Sequence, residues 1–355
     1  VKFFNLDLHI SVIADIKHIF KELGHEIDDW SISGHAWLMG KKTKQVKHVN
    51  QNTWRNINED LADRFYDHYK DELSKYDGFI VTHTPCFSLL YKKFNKPIIV
   101  VASTRYEDPF SGNMVEWIKF NKYLQGGIDS GQIIPVSNNK YDSGYTELYT
   151  QRKWQVIPSL CEYTNSKYTG KEDLFLYSSK FKPSLSIPRL SLREKVLKSG
   201  YSWQDLANYR GIVHVPYNAS TMSIFEQYTA NIPLFFPSYQ FLQELRSKYH
   251  DHGVMSELSW NQVHGYPPNS SIFAGVKDPN NYRNNEVMMH WAKLSDFYDQ
   301  ENMPYIQYFN SFEHLSQLLD IIDTKEISAN MATHNVLRRE RVYDEWNGIL
   351  GRLSR

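Results

Sequence analysis

The sequence predicts an α/β protein of two successive domains, each built on an open, mainly parallel sheet. Three observations lead there. A strand, an amphipathic helix and a second strand fill residues 2–33, and the same alternation repeats to about residue 158. A second series of strand-helix units starts after a polar stretch at 163–172. The length of 355 residues exceeds one ordinary core and suits two domains of roughly 150–200 residues each.

Residues 2–7 read as the first strand. Val12, Ile13, Ile16, Ile19, Phe20 and Leu23 then recur at helical spacing, with Asp15, Lys17, Lys21 and Glu22 on the other face. Gly24 supplies the stop, because it tolerates a left-handed cap. Residues 25–33 form the second strand. A polar helix at 58–75 leads to strand 78–82, a helix at 86–94 to strand 97–102, and a helix at 113–123 to strand 133–136. Residues 154–158 make another short strand, and 137–142 read as a polar loop.

Past the linker, strand 174–177, strand 211–215, helix 223–230 and strand 232–236 follow. Residues 260–285 read as a long irregular loop, and helices near 311–320 and 331–350 close the chain. The predicted domains are 1–165 and 166–335, with a closing helix at 336–355 returning to the first. No repeat of fixed period is visible. Open parallel sheets bind ligands beyond the carboxyl ends of their strands, so two such domains are expected to face one interdomain cleft.

Bulk composition excludes several classes. Forty basic and forty acidic residues leave no net field to draw in nucleic acid. Two cysteines, Cys86 and Cys161, make neither a disulfide framework nor a thiolate metal site. No apolar run reaches the roughly 18–20 residues of a membrane span, and no signal-peptide pattern heads the chain. A reducing, cytoplasmic location is the expectation. The chain begins at Val1 rather than Met, as a piece of a larger multidomain polypeptide would. Aromatic residues reach 15%, with 24 Tyr and 9 Trp, a load that suits stacking on flat ligands as well as filling cores.

The stretch from Gly211 to Ser238 carries the most chemistry. Strand 212–215 runs into Pro216-Tyr217-Asn218-Ala219-Ser220-Thr221-Met222-Ser223, and a helix starts at once. Small hydroxyl residues before a helix leave backbone N–H groups and the positive dipole end for an anion, and a diphosphate fits. Glu226, one turn inside, is placed to accept hydrogen bonds from ribose hydroxyls. Ser223-x-x-Glu226 also has the spacing of a capping box, which needs no ligand.

The run Glu226-Gln-Tyr-Thr-Ala-Asn-Ile-Pro233-Leu-Phe-Phe-Pro237-Ser238 resembles the C-terminal-domain signature of GT-B glycosyltransferases. Leu6-Asp7-Leu8-His9, the helix after it and Leu23-Gly24-His25-Glu26-Ile27 are similar to the first strand-helix-strand of that fold. The helix carrying Trp346 is similar to the family's last helix. The resemblance implies two Rossmann-like domains and transfer of a sugar from a UDP- or GDP-linked donor to a glycan acceptor. In it the glutamate, Glu226 here, holds the donor ribose, and Tyr217, Asn218, Ser220, Thr221 and Ser223 surround the donor. Ser179 and Lys180 follow the first strand of the second domain, where Lys180 would neutralise the leaving phosphate, although it reads equally as a solvated lysine. Retaining members often carry a second glutamate seven residues before the first; Ala219 stands there, so an inverting reaction is expected.

An inverting transfer needs a base near the acceptor hydroxyl. Asp7 and His9, just past the first strand, are the candidates, with His83 and Glu107 as alternatives. Asp7 also reads as a cap for the following turn. Arg105 and Asn138, each after a strand, are candidate acceptor contacts; Arg105 and Glu107 read equally well as a surface ion pair. No Asp-x-Asp after a strand and no His/Cys cluster is present, so metal-independent transfer without a resident cofactor is expected. The phosphate-binding Gly-x-x-x-x-Gly-Lys and the hydrolase Gly-x-Ser-x-Gly patterns are absent. Two other readings stay open: a nucleotide-sugar epimerase or hydrolase on the same scaffold, and a two-lobed sugar-binding protein without turnover.

Overall fold

The computed structural model describes residues 1–353 except Lys41, Arg105, Asp108, Ser111, Leu185, 258–278, Asn280 and Tyr282. The predicted irregular loop at 260–285 therefore lies mostly outside the described residues. Two compact units divide the chain. One comprises Val1–Ser159 and the terminal helix from residue 342 on; the other comprises Leu160–Leu258 and Asn281–Arg341.

The first unit is a six-stranded sheet with β1 (Lys2–Asp7), β2 (Glu26–Ser31), β3 (Gly78–Val81), β4 (Ile98–Ala102), β5 (Ile133–Ser137) and β6 (Gln155–Val156), in the order β2-β1-β3-β4-β5-β6. Every pairing is parallel. Its helices are α1 (Ile10–Glu22), α2 (Glu59–Leu73), α3 (Met114–Asp129) and α4 (Lys140–Thr150), with a 3₁₀ run over Pro85–Phe94. Helix α1 buries Val12, Ile13, Ile16, Ile19 and Phe20, the stripe that its spacing foretold. Its chain turns at Gly24, φ 79°, which a side chain would adopt only with strain.

The second unit is a five-stranded sheet with β7 (Glu172–Ser178), β8 (Leu190–Leu192), β9 (Tyr209–His214), β10 (Leu234–Pro237) and β11 (Gln307–Phe309), in the order β11-β10-β9-β7-β8. It too is parallel throughout. Its helices are α5 (Arg193–Val196), α6 (Trp203–Ala207), α7 (Met222–Thr229), α8 (Tyr239–Tyr249), α9 (Asn285–Ala292) and α10 (Phe312–Ile321). The closing α11 (Thr324–Leu353) is divided, residues from Val342 on belonging to the first unit. There Trp346 meets Phe20 of α1 edge-on at 5.2 Å.

Counted within each unit, both sheets follow the order 2-1-3-4-5, the first adding a sixth strand. Each unit is thus a Rossmann-like α/β layer, and two in series make the GT-B-like α/β architecture expected from the sequence. The likeness reaches single residues. A Cβ on Gly78 would lie 2.9 Å from the ring of Phe3 and from the Pro97 carbonyl. One on Gly211 would lie 2.8 Å from the ring of Phe235 and from the Pro233 carbonyl. Both third strands approach their neighbours closely enough to require glycine.

Several elements differ from the sequence expectation. The polar loop at 137–142 is the start of α4, with Asn139 as cap accepting from the Asp142 N–H at 2.7 Å. Strands β8 and β11 and helices α5, α6, α8 and α9 were not foreseen. No helix among the described residues is long and apolar enough to cross a membrane.

Candidate functional site

In a 2-1-3-4-5 sheet, adjacent strands 1 and 3 send their connections to opposite faces, and a crevice opens past their carboxyl ends. In the second unit these strands are β7 and β9. A cavity of about 310 Å³ lies there, lined by residues that include Ser178, Ser179, Lys180, Arg193, His214 and Tyr217. Asn218, Thr221, Ser223 and Phe236 also line it. That volume falls in the range of small-molecule sites.

Two cations reach this cavity. The ammonium of Lys180 lies 4.0 Å from the centre of the Tyr217 ring and pairs with Glu257. Arg193, half-buried at the start of α5, donates from Nη1 to Ser178 Oγ at 3.1 Å. Among the described residues no carboxylate pairs with Arg193. The start of α7 also lines the cavity, with Thr221 as its N-cap residue making no side-chain cap bond. The Thr221 and Ser223 hydroxyls lie 3.1 Å apart. The site thus combines a guanidinium, an ammonium, hydroxyls and a helix N-terminus, a set that favours a multiply charged anion. The Tyr217 ring adds a flat apolar face.

His214 ends β9 and is buried. Its Nε2 is 2.8 Å from Gln227 Oε1, and its ring stacks on Phe236 at 4.9 Å between centroids. Burial pushes its pKa down to about 4, against the opposing hydrogen bonds to Gln227 and the Ser178 backbone. The imidazole is neutral at pH 7.

Of the sequence-derived donor residues, Ser179, Lys180, Tyr217, Asn218, Thr221 and Ser223 come together around the cavity. Ser220 and Glu226 do not line it. Ser220 Oγ donates to Asp296 at 2.6 Å. Glu226 accepts from the Tyr163 hydroxyl at 2.5 Å, with a further hydrogen bond involving Trp203. Burial raises its pKa against these bonds. The alternative capping box does not form either, because α7 begins one residue before Ser223 with Thr221 as its cap. Arg193 was missed: it follows a three-residue strand with no period to read.

The corresponding point of the first unit lies past β1 and β3. There the rings of His9 and His83 stack with centroids 5.5 Å apart and planes 9° apart. His83 is buried, and burial first, then His9 and Arg55, push its pKa down to about 3. His9 as a whole residue is exposed, while surrounding protein and then the charge of His35 lower its pKa. Asp7 is buried and accepts from Ser31 Oγ at 3.0 Å. Glu107 is fully buried. Asn138 is buried too, its amide donating to Ser159 Oγ at 3.2 Å and accepting from Asn139 at 2.7 Å. Arg105 lies outside the described residues. Among the described residues no group of three or more His, Cys, Asp or Glu is placed to hold a metal ion.

No protein-family model and no curated protein matches the chain. Among solved structures it is similar to the S. aureus MnaA–UDP co-structure at 16% identity, covering 90% of this chain and 97% of that one, with a TM-score of 0.40. The glycotransferase of kitacinnamycin is 8% identical over 99% and 98% of the two chains, TM-score 0.45. The calicheamicin glycosyltransferase CalG4 is 9% identical over 100% and 99%, TM-score 0.42. Likenesses of this size assign neither substrate nor chemistry.

Proposed function

We propose that the chain is a GT-B-type glycosyltransferase that takes a sugar from a nucleoside-diphosphate donor, UDP- or GDP-linked, and passes it to a glycan acceptor. The observation that carries this is the cavity past β7 and β9, where Arg193 has no carboxylate partner among the described residues and shares the space with Lys180, Thr221, Ser223 and the start of α7. A diphosphate supplies the charge these groups match, and Tyr217 offers a face to the base or sugar.

His9 is the proposed base. The acceptor oxygen forms its bond to the anomeric carbon as the bond from that carbon to the diphosphate oxygen breaks. The acceptor's proton passes to His9, and the electron pair leaves on the diphosphate, held by Arg193 and Lys180. Attack from the face opposite the diphosphate inverts the anomeric centre, and no step needs a metal. His9 is preferred to Asp7 because Asp7 is buried against Ser31, whereas His9 is open to solvent. His83 is too weak a base, and Glu107 is closed off.

The reading is tested by thermal shift with UDP, GDP and the monophosphates. A nucleoside diphosphate at 100 times its dissociation constant stabilises by about 2.7 kcal/mol. No shift with any diphosphate would sink the donor assignment. With donor and acceptor present in EDTA, an inverted product by NMR is expected. Loss of activity rescued by a divalent cation would overturn the metal-independent reading, and donor turnover without acceptor would favour the epimerase or hydrolase.

A further inference from the structure

The chain carries as many acids as bases, but they are not evenly spread. Between Asp29 and Glu59 there is no acidic residue, while Lys41, Lys42, Lys44, Lys47 and Arg55 all fall there. This segment leaves β2 and includes a 3₁₀ turn over Ala36–Met39. Ala36 is buried, but Trp37 is 65% exposed and Leu38 53% exposed.

The turn is held firmly. Thr43 Oγ1 donates to the Ser33 carbonyl at 2.9 Å, the Lys44 N–H to the Ser31 carbonyl at 2.6 Å, and the Lys47 N–H to the Tyr69 hydroxyl at 2.9 Å. Lys42, Lys44 and Lys47 are exposed, and among the described residues none pairs with a carboxylate. Elsewhere in the same unit Lys92 and Lys93 pair with Glu59 and Asp63 at 2.8 Å. Lys44 also sits over the Trp30 ring, 4.8 Å from its centre. An outward tryptophan-leucine tip, followed in the chain by exposed lysines that no carboxylate among the described residues neutralises, suits the boundary between lipid headgroups and acyl chains. Trp prefers that depth, and each Lys gains from anionic headgroups. A soluble polyanion would engage the lysines and leave Trp37 and Leu38 in water.

We propose that the Trp37-Leu38 turn, with Lys42, Lys44 and Lys47, docks the protein on an anionic lipid surface. The test is co-sedimentation of the full chain with vesicles of phosphatidylcholine alone and of phosphatidylcholine with phosphatidylglycerol in equal parts. Binding is expected only to the second kind and is weakened at molar salt, where the Debye length is about 3 Å. A K42Q/K44Q/K47Q variant loses affinity on the order of a hundredfold at low salt. A W37S/L38S variant loses more than about tenfold. Circular dichroism and thermal midpoint show that both variants remain folded, since the replaced side chains are largely in solvent. Absence of binding to anionic vesicles at low salt overturns the proposal. So does binding that neither variant weakens, binding to heparin but not to vesicles, or a self-association of the free protein that W37S/L38S abolishes.

Discussion

The two sheets share one strand order, yet the points past their first and third strands hold opposite chemistry. Past β1 and β3 sit two stacked imidazoles and a buried carboxylate. Past β7 and β9 sit an ammonium, a guanidinium and hydroxyls around a cavity. A buried histidine with a depressed pKa at or just past the end of the third strand is common to both, His83 in one and His214 in the other. The scaffold therefore sets where a site opens, and the few residues near each strand end set which side chains it offers, imidazoles in one unit and cations in the other.

The largest effect should separate these two roles. His9→Ala is expected to lower turnover about 10²–10⁴-fold while leaving nucleoside diphosphate affinity unchanged, because it removes a base and no donor contact. Single-turnover rates and calorimetric titration read the two quantities independently. Asp7→Ala should instead lower stability, because it takes away the acceptor of the Ser31 hydroxyl. Near-normal turnover in His9→Ala would remove the proton-transfer half of the comparison.

The next prediction concerns what the two points share. His83 and His214 titrate near 3 and 4 in the folded chain and near 6.5 unfolded. Below pH 6.5 the unfolded chain binds protons that the folded chain refuses. Their contribution is therefore full above pH 6.5 and is lost as the pH falls towards the folded values. Together they give a slope of up to about 2.7 kcal/mol per pH unit between pH 4.5 and 6. Urea midpoints across that range measure it. His214→Asn should flatten part of the slope, and a profile independent of pH would show that neither ring is held neutral.

Arg193→Gln sharpens the contrast from the anion side. Loss of a charged hydrogen bond to a phosphate should weaken diphosphate binding by about 1.5–3 kcal/mol, with a smaller effect on a nucleoside. Lys180→Gln should do less, because its ammonium already pairs with Glu257 at a half-exposed position. Equal loss for diphosphate and nucleoside would mean that Arg193 shapes the cavity without holding phosphate.

The sequence was most legible where periodicity and punctuation are local. Helix α1 with its Gly24 stop, and the strand, small-residue loop and helix from β9 to α7, can be read from consecutive residues. Helix α4 was hidden because Asn138-Asn139 looks like a turn and is a cap. Strand β8 has three residues and no period, so the strand that delivers Arg193 left no signal. The partners of Glu226 lie 63 residues away at Tyr163 and 23 away at Trp203. No local pattern links such positions; only the packing of α6 and the stretch after Leu160 against α7 joins them.

Glu226 gives the smallest and most discriminating test. Its carboxylate is occupied by Tyr163 and Trp203 rather than directed into the cavity. It therefore braces α7 on the side away from the cavity, which Thr221 and Ser223 at the start of the same helix line. Glu226→Ala would leave a tyrosine hydroxyl and an indole N–H without their acceptor, at a cost of about 1–2 kcal/mol in stability. Glu226→Gln keeps an acceptor oxygen and should cost less. Both variants should bind nucleoside diphosphate within about threefold of the parent, since a factor of three is only about 0.6 kcal/mol. Ribose contact predicts the reverse order. In that case Glu226→Gln remains stable but loses affinity for nucleoside diphosphates, and keeps it for inorganic pyrophosphate, which has no ribose to lose. Denaturant midpoints and titrations of the two ligands against the two variants decide between a brace and a ribose ligand.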